Sequence, residues 1–273
     1  MEEQIILIYC VCADLLNHLD HVEDKRRRMT DAEMMTTAIV AALHFGGNHE
    51  KSRLFLKSHQ YVPQMLGTSR FNRRLHQLDE TCLILFHELA HLWHRLNKEA
   101  IYSIDSFPIC VCDNYRICRS KIYKGEAYRG KITSKNRYFY GVRVHLMITE
   151  KGHPVEFFIS PGRDNDLTYL KAFSFDLEPG STVYADRGYN DYTVEDLLAD
   201  QGIRFLPMRK KNSKRPLPPW TAYLQHLHRK RIETTASLVE RLLPKSIHAV
   251  TAKGFELKVA LFVIACSIQG LSN

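Results

Sequence analysis

Three acidic residues carry the first functional signal: Asp105, Asp186 and Glu233. Asp105 stands in "IYSIDSFPI" (101–109), where Ile101, Tyr102, Ile104, Phe107 and Ile109 suit a pleated strand. Asp is depleted in strands and is costly to bury ionised without a partner, so its presence needs a reason. One reason is local, a strand-end cap before Pro108. The other is a carboxylate held at a fixed point to bind a metal. "STVYADRGYND" (181–191) repeats the arrangement: a short apolar strand ends in Asp186, and strand ends are where ligands lie in open α/β sheets. Glu233 falls in "HLHRKRIETTASLVERLLP" (226–244), a helical pattern whose Ile232, Ala236, Val239 and Leu243 can pack on a sheet. By itself it reads as half of a surface i, i+4 ion pair with Arg229. Together the three acids suit Mg²⁺, which prefers carboxylate and phosphate oxygens. Two such ions about 4 Å apart activate a nucleophile and stabilise the leaving oxygen of a phosphodiester. Glu240, two helical turns beyond Glu233, is a rival third acid.

That chemistry requires two strands and a helix to converge, and the chain supplies them. Residues 1 to about 98 read as helices. The best-marked start has Thr30 as N-cap with Glu33 three residues on, a capping box, and Gly46-Gly47 as its stop. From Ile101 strand patterns appear at 101–105, 138–149, 154–160, 182–186 and 203–206. The second and third are joined by "EKGH" and read as an antiparallel hairpin. Helical patterns interleave at 166–175, 191–201 and 222–243. An antiparallel opening followed by β-α-β alternation predicts a mixed α/β domain. The division expected is a helical domain over 1–98 and an α/β domain over 99–273.

The residues around the three acids resemble the DDE-type transposases of bacterial insertion sequences. The matching pieces are "SIDSFPI", "VYADRGYND" and "HRKRIETTASLVER". The resemblance covers roughly 99–268 and implies an RNase H-like core, a mixed sheet flanked by helices. It implies Asp105, Asp186 and Glu233 as ligands of two Mg²⁺ ions, with Mn²⁺ as a substitute, and Arg229 as a signature arginine close to donor DNA. It further implies cleavage at the ends of an element, strand transfer into target DNA, and work as a homodimer on paired ends. Two positions depart from the pattern. His226 stands where related enzymes often have Tyr, and Glu240 where they often have Lys.

Charge agrees with an acidic partner. Lys and Arg outnumber Asp and Glu 38 to 30, and nucleic acid is the commonest partner for that balance. Basic residues interleave with tyrosines over 116–145, a composition suited to DNA backbone and bases. The candidate DNA contacts are Arg229, Arg231, Arg187, Lys131, Arg143, Lys210, Lys211, Arg73 and Arg74. "RKKNSKR" (209–215) also reads as a localisation signal, and "SRFNRRLHQL" (69–78) as part of a helix-turn-helix or of a helical packing or dimerisation module, so the helical domain over 1–98 is expected to serve DNA-end binding or dimerisation. An RNase H-like nuclease that cuts without joining, or a non-catalytic DNA binder derived from a transposase, would share most of these features.

Other chemistry is weaker. "HELAH" (87–91) matches the zinc-peptidase pattern H-E-x-x-H but has no clear third ligand nearby. Cys110, Cys112 and Cys118 lack a close fourth zinc ligand, and the seven cysteines fit reduced thiols in a cytosolic protein; the resemblance implies a bacterial cytoplasm, at the nucleoid. The N-terminus is acidic where a signal peptide would be basic, and "VALFVIACSI" (259–268) is too short to span a bilayer.

Overall fold

The strand patterns after residue 100 close into one sheet. The computed structural model describes residues 1–272 except 25, 133–135, 210–211, 243–246 and 248, and leaves aside the side chains of 231, 236, 238–240 and 272. Its strands are β1 (Ile101–Cys112), β2 (Arg129–Ile132), β3 (Arg137–Thr149), β4 (Pro154–Pro161), β5 (Thr182–Ala185) and β6 (Arg204–Pro207). Their order is β2-β3-β1-β5-β6, with β4 also paired to β3. β1 is antiparallel to β3 and parallel to β5, and β5 is parallel to β6. This is the mixed α/β sheet flanked by helices, after a helical N-terminal region, expected from the sequence. β3 is buried along most of its length, which is why it reads as an apolar run and not as a clean alternation. The β3–β4 hairpin forms as expected, with Gly152 at φ 90 in its turn, a left-handed conformation that glycine adopts without steric cost.

The chain divides into two compact units, 1–89 with 238–273, and 90–237. The sheet lies in the second, with α6 (Asp166–Tyr169), α7 (Tyr192–Asp200) and most of α8 (Pro219–Leu242). The first holds α1 (Glu2–His18), α2 (Asp31–Phe45), α3 (His49–Ser58), α4 (Thr68–Leu75), most of the length of α5 (Asp79–Leu96), and α9 (Ala252–Gln269). The division expected at 98/99 therefore misplaces α9. Its residues from Val259 to Ile268 are buried, and it packs on α2, where a Cβ added to Gly47 would come within 2.8 Å of the Phe262 ring. Two helices buried on nearly every side supply each other's core. No helix among the described residues is long and apolar enough to cross a membrane.

The capping box at Thr30 forms: Thr30 Oγ1 accepts from the Glu33 amide at 3.1 Å, and Glu33 Oε2 accepts from the Thr30 amide at 2.7 Å. Gly46, at φ 56, ends α2 in the left-handed conformation expected of a C-terminal glycine. Two expectations fail. β1 does not end at Asp105 but runs to Cys112, because β3 keeps offering antiparallel partners. Pro108 is tolerated there because β5 stops at Ala185 and leaves that edge of β1 open. The helix expected over 166–175 is only one α-turn and one 3₁₀ turn, since Phe173 and Phe175 turn into an aromatic core with Phe158, Tyr189 and Phe205.

Candidate active site

The end of the parallel β1–β5 pairing creates the site. Ile104 and Ala185 are the last paired residues, so Asp105 and Asp186 leave adjacent strands side by side. Asp105 is thus neither a cap nor a strand end. It lies in mid-strand at the point where one neighbour stops. Side chains alternate across a strand, so Ser103 and Asp105 share a face, and Ser106 takes the other. Ser103 stands opposite Tyr184, whose ring stacks on His228 of α8 with centroids 4.4 Å apart, so the Asp105 face is the one α8 covers.

α8 is held there by a buried stripe of Thr221, Gln225, His228, Ile232 and Thr235, spaced alternately four and three residues. The stripe is mostly polar, which apolar periodicity could not reveal. Gln225 Nε2 donates to the Leu206 carbonyl of β6 at 2.9 Å, and Thr235 Oγ1 donates to the Gly152 carbonyl of the hairpin turn at 3.0 Å. These bonds fix the helix across that face of the sheet. Arg229 and Glu233, one turn apart, then project beside the buried stripe. Arg229 Nη1 donates to Asp186 Oδ1 at 3.0 Å and Arg229 Nε to Glu233 Oε1 at 2.8 Å. A shallow open pocket follows, lined by Asp105, Asp186, Met208, Gln225, Arg229 and Ile232.

The electrostatics are those of an under-neutralised acidic site. Burial pushes the Asp105 carboxyl up, to about 7. The Ser106 amide opposes this by donating to Asp105 Oδ1 at 2.7 Å, while the charges of Asp186 and Asp166 add to it and Arg229 offsets it. The ligand atoms of Asp105, Asp186 and Glu233 do not all lie within 4.8 Å of one another. The Arg229 guanidinium bridges two of the three. A donor set of carboxylates from two strands and a helix is of the type that suits a hard divalent cation.

The remaining sequence candidates divide. Arg187 and Lys131 are exposed, the latter with its ammonium over the Tyr138 ring. Arg73 is exposed on α4. Arg143 is mostly buried, with Nη2 donating to the Lys131 carbonyl at 3.1 Å and Nη1 to Ser106 Oγ at 3.3 Å. Arg74 is turned inward, pairing with Asp31 and the Met29 carbonyl, so its charge serves the helical unit and not DNA. Lys210, Lys211 and the side chains of Arg231 and Glu240 lie outside the described residues. In the same basic loop Arg209 is paired with Glu195 and Arg215 with Asp196. His87 and His91 are exposed, and among the described residues no third ligand joins them. Sequence reasoning missed Asp166, Ser106, Tyr189 and His145. Only Tyr189 carried a signal, through the D-x-G-Y motif.

A family model described as "Transposase DDE domain" matches residues 95–247, more than half of the chain. The chain belongs to the transposase DDE domain family. No curated protein matches it. Two solved structures are similar at low identity. One is the piggyBac transposase synaptic complex with hairpin DNA, 10% identical over 97% of this chain and 71% of that one, with a TM-score of 0.45. The other is the Mos1 mariner paired end complex with Mn, 13% identical over 85% of each chain, with a TM-score of 0.25.

Proposed function

We propose that this transposase-family protein cleaves DNA at the ends of an insertion sequence and joins the freed ends to target DNA. The observation that carries the reading is the meeting of Asp105 and Asp186 at the end of one parallel strand pair, with Glu233 of α8 joined to Asp186 through Arg229. Asp105, Asp186 and Glu233 would hold two divalent ions, Mg²⁺ or Mn²⁺. When bound, these supply activation of the attacking oxygen and stabilisation of charge on the leaving one. In the net reaction water attacks a phosphodiester and frees a 3′-OH, and that 3′-OH then attacks a target phosphodiester. The nucleophiles come from water and DNA, so the protein forms no covalent bond to its substrate.

The chain's own side chains bind and orient. Arg229 is held between Asp186 and Glu233, and exchanging those carboxylates for a phosphate would bring a DNA strand to the acids. Arg187 follows Asp186 directly and is exposed, and Lys131 is available on β2. Arg73 offers a further phosphate contact from the helical unit, as expected of a domain that binds DNA ends, while a homodimer would bring two ends together.

The test is cleavage and strand transfer of labelled double-stranded DNA carrying the element's terminal repeats, with Mg²⁺, in wild type and Asp186→Asn. Metal-dependent nicking and joining that disappear in the variant support the reading. Nicking without joining would make the protein a nuclease. End binding without cleavage in wild type would make it a binder.

A further inference from the structure

Asp166 stands on the opposite face of the sheet from α8, yet it touches the supports of both aspartates. Ser106 faces away from Asp105 along β1, opposite His145 on β3. Its hydroxyl donates to Asp166 Oδ1, while its amide donates to Asp105 Oδ1 at 2.7 Å. Arg143 closes the group, with Nη1 3.3 Å from Ser106 Oγ and 4.0 Å from Asp166 Oδ1. The second support is the 3₁₀ turn Arg187–Tyr189 that follows Asp186. A Cβ added to Gly188 would lie 2.8 Å from Asp166 Oδ2 and 3.3 Å from its Cβ, so this turn lies close against the carboxylate. Tyr189 pins the far end of the turn. It is fully buried, with its hydroxyl 3.3 Å from His145 Nδ1, and His145 Nε2 is 2.9 Å from Ser160 Oγ.

We infer that Asp166 is a positioning residue for the candidate metal site, setting Asp105 through Ser106 and Asp186 through the Gly188 turn. The inference rests on the reading of Asp105 and Asp186 as metal ligands. It gives D-x-G-Y a physical content: an acid for the site, a glycine for Asp166 and a tyrosine anchored in the core. Groups that orient a ligand from behind typically change metal affinity about 10–100-fold when removed.

The experiment measures Mn²⁺ binding to the full chain by loss of the free-ion paramagnetic resonance signal, with thermal melting alongside. Asp166→Ala and Ser106→Ala are each expected to weaken Mn²⁺ binding on the order of tenfold. Asp166→Asn keeps an oxygen to accept the Ser106 hydroxyl and is expected to retain most of the affinity. Asp105→Asn and Asp186→Asn serve as references. Weakening by the references but not by Ser106→Ala or Asp166→Ala would overturn the inference and leave the metal site standing. Equal weakening by Asp166→Asn and Asp166→Ala would also overturn it, since the charge and not the hydrogen bond would matter. Unchanged binding in the references would remove the metal site itself. If Asp166→Ala fails to fold, Ser106→Ala and Asp166→Asn decide the matter.

Discussion

Two acidic clusters in this chain teach opposite lessons about what a carboxylate group is for. In the helical unit His21, Glu23 and Asp31 bring their ligand atoms within 4.8 Å of one another, close enough to hold an ion by distance alone. Yet Asp31, almost fully buried, is already matched. Its Oδ2 lies 2.8 Å from His21 Nε2 and 2.7 Å from Arg27 Nη1, and its Oδ1 pairs with Arg74. Burial raises its carboxyl, but these hydrogen bonds and charges outweigh the burial and hold it below the ordinary carboxylate value. In the sheet, Asp105 has the Ser106 amide and the more distant Arg229 against burial and two like charges, and its carboxyl is held up. The first cluster is charge-balanced by arginine. The second is left short of positive charge. Proximity of acids alone therefore does not separate the two clusters, whereas burial and countercharge do.

Breaking each cluster in turn should separate the two. The largest effects are expected in the sheet. Asp186→Asn, Asp105→Asn and Glu233→Gln should each reduce DNA cleavage on the order of 10³-fold, the loss of several kcal/mol of transition-state stabilisation, measured in single-turnover assays. Arg74→Ala should act on stability instead. It leaves buried Asp31 with Arg27 and His21 but one Oδ1 partner short, which should cost about 1–3 kcal/mol, read in chemical denaturation, with Mn²⁺ affinity unchanged.

A smaller effect sharpens the contrast in sign. Asp105 has a folded pKa raised from 3.8 to about 7, so between those values the folded chain holds a proton that the unfolded chain has released. Metal-free stability contributed by this group therefore falls as pH rises through that window and is level above it. Asp105→Asn should raise the metal-free melting temperature at pH 8 and lose that pH dependence, whereas Asp31→Asn should lower it. The smallest effect is next door to Asp31: Thr30→Ala removes one half of the capping box and should cost about 1 kcal/mol, again without touching metal affinity.

Much of the second unit was legible in the sequence because its strands are apolar and its acids interrupt them. Asp105 stood out against Ile101, Tyr102 and Ile104, and "VYAD" announced a strand ending in an acid. What could not be read was register. That Ile104 pairs with Ala185, and so places Asp105 beside Asp186, depends on long-range pairing between segments that are far apart in sequence. Asp166 was invisible because "GRDNDLTY" has no period, and its contacts arise only when Ser106 of β1 and Gly188 of the turn after β5 approach it. Arg74 looked like a surface cation because adjacent arginines on a short helix give no hint of which one turns inward. α9 was placed with the sheet because its apolar run carries no label of the partner it packs against.

The most direct test compares the clusters in one titration. Mn²⁺ is added to wild type, Asp186→Asn and Asp31→Asn, and bound ion is counted by paramagnetic resonance. The account predicts binding in wild type that is lost in Asp186→Asn and kept in Asp31→Asn. Binding that survives Asp186→Asn and disappears with Asp31→Asn would contradict it, and would place the ion among the helices.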